Sequence, residues 1–165
     1  MNICIQLSNG RTSGELTRRA SLLTFVLLTA ISCGQLWGDN DLGDNFSLLE
    51  GDKTEDRVIV YCSGRSAGAC TGGTFIIPVY SRHMDKDGHY AEYVETAKSN
   101  DKFIIARTIQ LKDGMKNYWV VYKDLNISNC NDIHCDSTKV LGPLNETEFR
   151  TKTADLNIDL EFSEE

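Results

Sequence analysis

The residues that first suggest chemistry are Gly64-Arg65-Ser66-Ala67-Gly68. They spell G-x-S-x-G, in which a serine stands on a sharp strand-to-helix turn as a hydrolase nucleophile. The reaction would be acyl transfer, and it needs an acid and then a histidine further along the chain. A strand is available in "RVIVYC" before Ser66. The helix is not, because "ACTGGTFIIPV" carries Gly72 and Gly73 and runs into a second β-rich stretch. Only His83, His89 and His134 can serve as the base. Ser66 is therefore expected in a glycine-rich connection, without a catalytic role.

Other reactive groupings weaken in the same way. "CNDIHC" sets His134 between Cys130 and Cys135, a set that suits zinc. In an exported chain those thiols are expected to form a disulfide instead. His83 and His89 flank a turn and are expected in solvent. Asp85, Asp87, Glu92 and Glu95 are expected as surface charges, since no spacing fits a calcium loop. "AGACTGG" lacks the lysine and the helix of a phosphate loop. The expectation is a protein that is not an enzyme and holds no metal or cofactor.

The elements that would position such residues begin after an unlike N-terminal third. "RTSGELTRRA" is basic, "SLLTFVLLTAIS" is apolar, and "CGQLWGDNDLGD" turns acidic. That order reads as a secretory signal peptide over 1–34, with an apolar run too short to span a membrane. The remaining domain, 35–165, is then extracellular, with no membrane contact after cleavage. Cleavage lowers the basic count from 17 to 14 and the acidic count from 24 to 23, by loss of Arg11, Arg18, Arg19 and Glu15. A chain this acidic is not expected to bind nucleic acid. A single globular domain is expected from 165 residues with 41% hydrophobic content.

Four cysteines remain beyond the signal: Cys62, Cys70, Cys130 and Cys135. They allow three pairings. The local pairs Cys62–Cys70 and Cys130–Cys135 are favoured because each closes a short loop. Sequons at Asn45, Asn126 and Asn145 suit glycosylation on a secretory route.

From residue 57 the pattern is strands and turns. "RVIVYCS" (57–63), "GTFIIPVYS" (73–81) and a stretch over about 89–95 are β-rich. Asp113-Gly114 joins "DKFIIARTIQ" to "KNYWVVYK", so 102–123 is expected as one antiparallel hairpin. "DLNISNCNDIHCDST" reads as loop. Asn145 and Glu148 have capping-box spacing, and Phe149, Thr153 and Leu156 share a helical face, which predicts a C-terminal helix over about 146–156. The "DLEFSEE" tail is expected to be loose. Several short antiparallel strands and one late helix make a mainly β fold, a barrel or a sandwich with one C-terminal α-helix.

The order of these stretches resembles the lipocalin family, in particular its small secreted odorant- and pheromone-carrier branch. "LLEGDKTEDRVIVYC" is similar to the stretch leading through that branch's second strand to a cysteine. "KDGHYAEYVETAKSNDKFIIARTIQLKDGMKNYWVVYKD" is similar to its later strands, and "LGPLNETEFRTKTADLNI" to its C-terminal helix. The family's G-x-W corresponds to Gly34-Gln35-Leu36-Trp37, one residue longer, and its terminal basic residue to Lys123. Fewer than eight clear strands suggest a shortened or incomplete barrel. The resemblance implies a mainly β fold, an antiparallel up-and-down β-barrel with one C-terminal α-helix, and a carrier of a small hydrophobic ligand.

Alternating side chains supply the candidate lining: Phe75, Ile77, Val79, Phe103, Ile105, Tyr118, Val120 and Tyr122, with Tyr90, Tyr118 or Tyr122 offering an orienting hydroxyl. The alternative is a protein-binding module, an immunomodulator or inhibitor, that meets a protein partner with the surface of the same scaffold.

Overall fold

The computed structural model describes residues 39–66 and 68–162. The expected signal peptide and Trp37 lie outside the described residues. Among the described residues ten strands form: β1 Asp39–Gly43, β2 Phe46–Leu49, β3 Val58–Cys62, β4 Arg65–Ser66, β5 Ala69–Cys70, β6 Gly73–Ile77, β7 Glu92–Ser99, β8 Phe103–Gln110, β9 Lys116–Tyr122 and β10 Val140–Leu144. The helices among the described residues are α1 Tyr80–His83 and α2 Glu146–Asp155, with 3-10 turns at Thr54–Asp56 and Ile127–Asn129.

The strands make two antiparallel four-stranded sheets, ordered β1-β2-β3-β6 and β10-β9-β8-β7. β4 and β5 pair only with each other. The fold is thus mainly β, as expected, but among the described residues no strand pairing closes the sheets into a barrel. The physical reason lies at the edges. Pro78 follows β6 and Pro143 sits in β10, and neither can donate a ladder bond. A bond from the Val94 N–H to the Arg57 carbonyl, 2.9 Å, bridges the sheets locally.

Three apolar layers result from strand parity, broken in β6 by a bulge between the Ile59–Ile77 and Val60–Phe75 pairs. Leu42, Phe46, Leu48, Ile59, Ile76 and Ile77 of the first sheet meet Val94, Ile104, Ala106, Trp119, Val121 and Val140 of the second. This inter-sheet core is tightly excluded from water; Phe46, Ile59, Ile77, Ile104 and Val121 are all 0% exposed. Val58, Val60 and Cys62 point to the other face of the first sheet, where Cys70 and Phe75 pack on them. Ile105, Tyr118 and Val120 point to the other face of the second sheet, under Phe149 of α2.

The Cys62–Cys70 and Cys130–Cys135 disulfides both form. The first draws the β4–β5 hairpin back onto the first sheet, where Arg65 Nη2 donates to Ser47 Oγ at 3.0 Å. The 102–123 hairpin forms as β8 and β9, with Gly114 at φ +72 in its turn. α2 carries the expected capping box: Glu148 N–H donates to Asn145 Oδ1, and Asn145 N–H donates to Glu148 Oε2.

Two local expectations change. The run 73–81 is not one strand, because β6 ends before Pro78 and α1 starts at Tyr80. The tail through 162 is not loose: Leu156, Ile158, Leu160 and Phe162 pack on the outer cluster of the second sheet. Their alternation offers one apolar face along an extended chain, and Phe162 stacks on Phe149 with ring centroids 5.7 Å apart.

Candidate functional site

β7, β8 and β9 bring three polar side chains to one end of the inter-sheet core. Glu92 opens β7, Thr108 lies near the end of β8, and Asn117 pairs with Thr108 across the β8–β9 ladder. All three are buried, with Glu92 only 2% exposed. A buried carboxylate is stable only when paired and hydrogen-bonded. Here Thr108 Oγ1 and Asn117 Nδ2 donate to Glu92 Oε1. Arg82 of α1 donates to Oε2 through Nε at 2.8 Å and through Nη2 at 2.6 Å.

Trp119 completes the cluster. Its Nε1 donates to Thr108 Oγ1 at 3.0 Å, so an N–H to O–H to carboxylate relay runs across three strands. Arg82 Cζ also lies 5.5 Å from the centroid of the Trp119 ring. A carboxylate beside an indole face is a cation-binding combination, and Arg82 occupies it. His83 follows in α1 and donates from Nδ1 to the Glu92 carbonyl at 2.9 Å.

Two sequence expectations are corrected here. Glu92 is no surface charge, and His83 is no solvated histidine: it is 5% exposed, packed between Phe75 and Tyr90. α1 turns the segment inward, which sequence spacing around Asp87-Gly88 does not encode. Glu95 stays half-buried and pairs with Arg107 and Lys116. His89 remains exposed beside Asp85.

Tyr90 and Asp56 adjoin this end. The Tyr90 hydroxyl donates to Asp56 Oδ1. That bond, with the Lys53 N–H as a second donor, holds the Asp56 carboxyl below its usual range, while Asp56 pushes the Tyr90 hydroxyl up. A lowered carboxyl stabilises the fold above its unfolded value, and that stability is lost as pH falls through the folded value. A raised phenol stabilises below its unfolded value, and that stability is lost as pH rises through the folded value. Tyr90→Phe should therefore lower the urea midpoint at neutral pH. The gap to the parent should close in acid, below the ordinary aspartate range, and again in strong alkali. A gap that stays constant with pH would contradict this coupling.

The expected lining residues divide between different faces of the two sheets. Ile77 lies in the inter-sheet core, and Phe75 on the opposite face of the first sheet. Val79 caps α1 and is buried. Phe103, Ile105, Tyr118 and Val120 belong to the layer beneath α2. Tyr122 packs against Phe103, 5.0 Å between centroids, and lines with it an open cleft of about 520 Å³ that also includes Lys123. Lys123 Nζ lies 3.8 Å from Asp44 Oδ2. Tyr118 and Phe149 line a groove of about 600 Å³ with Phe162, Arg107 and Arg150.

Sequence reasoning missed Glu92, Thr108, Asn117 and Trp119 as a group. The available signal was the shared parity of Glu92 with Val94 along β7, of Thr108 with Ile104 and Ala106 along β8, and of Asn117 and Trp119 with Val121 along β9. Ser66 stands exposed in β4, and β5 follows it, so the strand–turn–helix of a nucleophile elbow is not formed. Cys130 and Cys135 are disulfide-bonded and cannot ligate metal as thiolates beside His134. The sequon residues Asn45, Asn126 and Asn145 are exposed. No family model, curated protein or solved structure matches this chain.

Proposed function

We propose that this chain is an extracellular carrier of a small, mostly apolar molecule, whose polar group would take the place of Arg82 at Glu92 while its apolar portion parts α1 from the filled inter-sheet core. The observation that carries the reading is the Glu92–Thr108–Asn117–Trp119 cluster at the end of an otherwise apolar inter-sheet core. Binding sites of this kind are apolar with a few convergent polar groups. Arg82 fills the cation position, and its side chain is 33% exposed whereas that of Glu92 is 3% exposed. Entry therefore runs past α1: Arg82 swings outward and the ligand's N–H or cationic group replaces it.

The extracellular setting is supported by two disulfides. Exposed sequon asparagines suit glycosylation there, and no described helix is long and apolar enough to cross a membrane. The lipocalin resemblance belongs to the same reading, with an open two-sheet form in place of a closed barrel.

The test is a fluorescence titration with an apolar arylamine fluorophore. Saturable uptake is expected, quenching tryptophan emission. Glu92→Gln should weaken it about tenfold, the loss of one charge-assisted hydrogen bond, roughly 1.4 kcal/mol. A folded parent protein that takes up no probe, beside a competent control carrier, would sink the proposal.

A further inference from the structure

We propose that the loop closed by Cys130–Cys135 is a protein-docking knob, anchored by Ile133 and fitted to an apolar socket ringed by basic side chains. This inference is independent of the carrier reading and uses a different face. Ile133 is 74% exposed, well above Tyr80, Leu111 and Met115 among the exposed large apolar residues. A single exposed apolar side chain is ordinary. This one is held in place.

The loop is built to present it. Asn131 Oδ1 accepts from the Ile133 N–H at 2.8 Å and the His134 N–H at 3.0 Å. Asn131 N–H donates to the His134 carbonyl at 2.9 Å. The disulfide closes the loop, and Cys130, Cys135 and the preceding Ile127 pack on the inter-sheet core. Ser81 N–H donates to the Asp132 carbonyl at 2.9 Å, tying the loop to α1. The base is thus fixed in the core while the tip stays in water. Such a loop has little conformational entropy left to lose on binding.

A second anchor adjoins it. Tyr80, next in the chain to Ser81, is 47% exposed. Its ring is seated edge-on against Phe75, 5.5 Å between centroids. An exposed aromatic and an exposed aliphatic residue, both immobilised, have the character of binding hot spots.

The surrounding charge selects the partner. Asp132 and Asp136 flank Ile133 with no lysine or arginine from 124 to 138, while Asp124 is paired with Lys139 at 2.6 Å. Asp132 is exposed at the loop itself. Basic side chains around the socket would be drawn to this rim. The formal charge of −7 opposes a second copy and an anionic membrane alike.

The test is selection of a displayed random-peptide library on the full-length protein. Enriched peptides should combine aromatic or aliphatic residues with Lys or Arg, and should bind more weakly as salt rises. Ile133→Ser should weaken their Kd at least tenfold, while Leu111→Ser in the β8–β9 turn should leave it unchanged. The near-ultraviolet circular dichroism of Ile133→Ser should match the parent. Peptides that bind Ile133→Ser equally well would overturn the proposal. So would an Ile133→Ser chain that loses its fold, since Ile133 would then be structural. Self-association abolished by Ile133→Ser, with no peptide enriched, would assign the knob to a second copy and overturn it as well.

Discussion

Arg82→Met should destabilise the protein by about 3–5 kcal/mol, the usual effect of stranding one member of a buried ion pair. The asymmetry of burial sets the size. The Glu92 side chain is 3% exposed, whereas that of Arg82 is 33% exposed. Removing the arginine therefore leaves a carboxylate that cannot reach water, with only Thr108 and Asn117 donating to it. Urea unfolding at neutral pH should read the loss directly. A double variant with Glu92→Leu should recover much of the stability, since both charges are then gone. An Arg82→Met protein as stable as the parent at neutral pH would show that the pair does not secure α1. The consequence reaches beyond this cluster, because Ser81 of α1 also holds the Cys130–Cys135 loop.

Gly73→Ala should be the most damaging small substitution near the Gly64–Gly68 motif. A Cβ at Gly73 would lie 2.2 Å from the Tyr61 carbonyl oxygen, 2.9 Å from its carbon and 3.1 Å from Cys62 Cα. These are backbone atoms of the paired strand, so no rotamer change relieves the clash. β3 and β6 must part where Cys62 faces Gly73, next to the Cys62–Cys70 disulfide. A loss on the order of 3 kcal/mol, or failure to fold, is expected from overpacking at a rigid site. Gly68→Ala is the comparison. It has φ +88 but nothing within 4 Å, so only backbone strain of about 1–2 kcal/mol applies. Thermal melts should rank the two in that order. Equal melting temperatures would mean that the β3–β6 ladder yields more readily than its spacing implies.

Local chemistry made much of the fold legible. The β8–β9 hairpin follows from Asp113-Gly114 between two β-rich runs, and α2 follows from Asn145 and Glu148 at capping-box spacing. Both disulfides close the short loops that chain proximity favours. The short strands β1, β2 and β10 were not legible. β2 is four residues long, and Gly142-Pro143 interrupts the pattern of β10.

The candidate site lay beyond such signals. β8 and β9 are apolar on both faces, since the first sheet covers one and α2 with the tail covers the other. Alternation then separates Phe103, Ile105, Tyr118 and Val120 from Ile104, Ala106, Trp119 and Val121 without saying which set faces inward. The amino-acid sequence by itself determined the β8–β9 hairpin with its turn, α2 with its cap and the local cysteine pairs, because each depends on residues close along the chain. Only tertiary structure decided that Trp119 points between the sheets, that Glu92 is buried and that Arg82 reaches it. Those outcomes depend on which surface covers each face, and the covering residues come from distant parts of the chain.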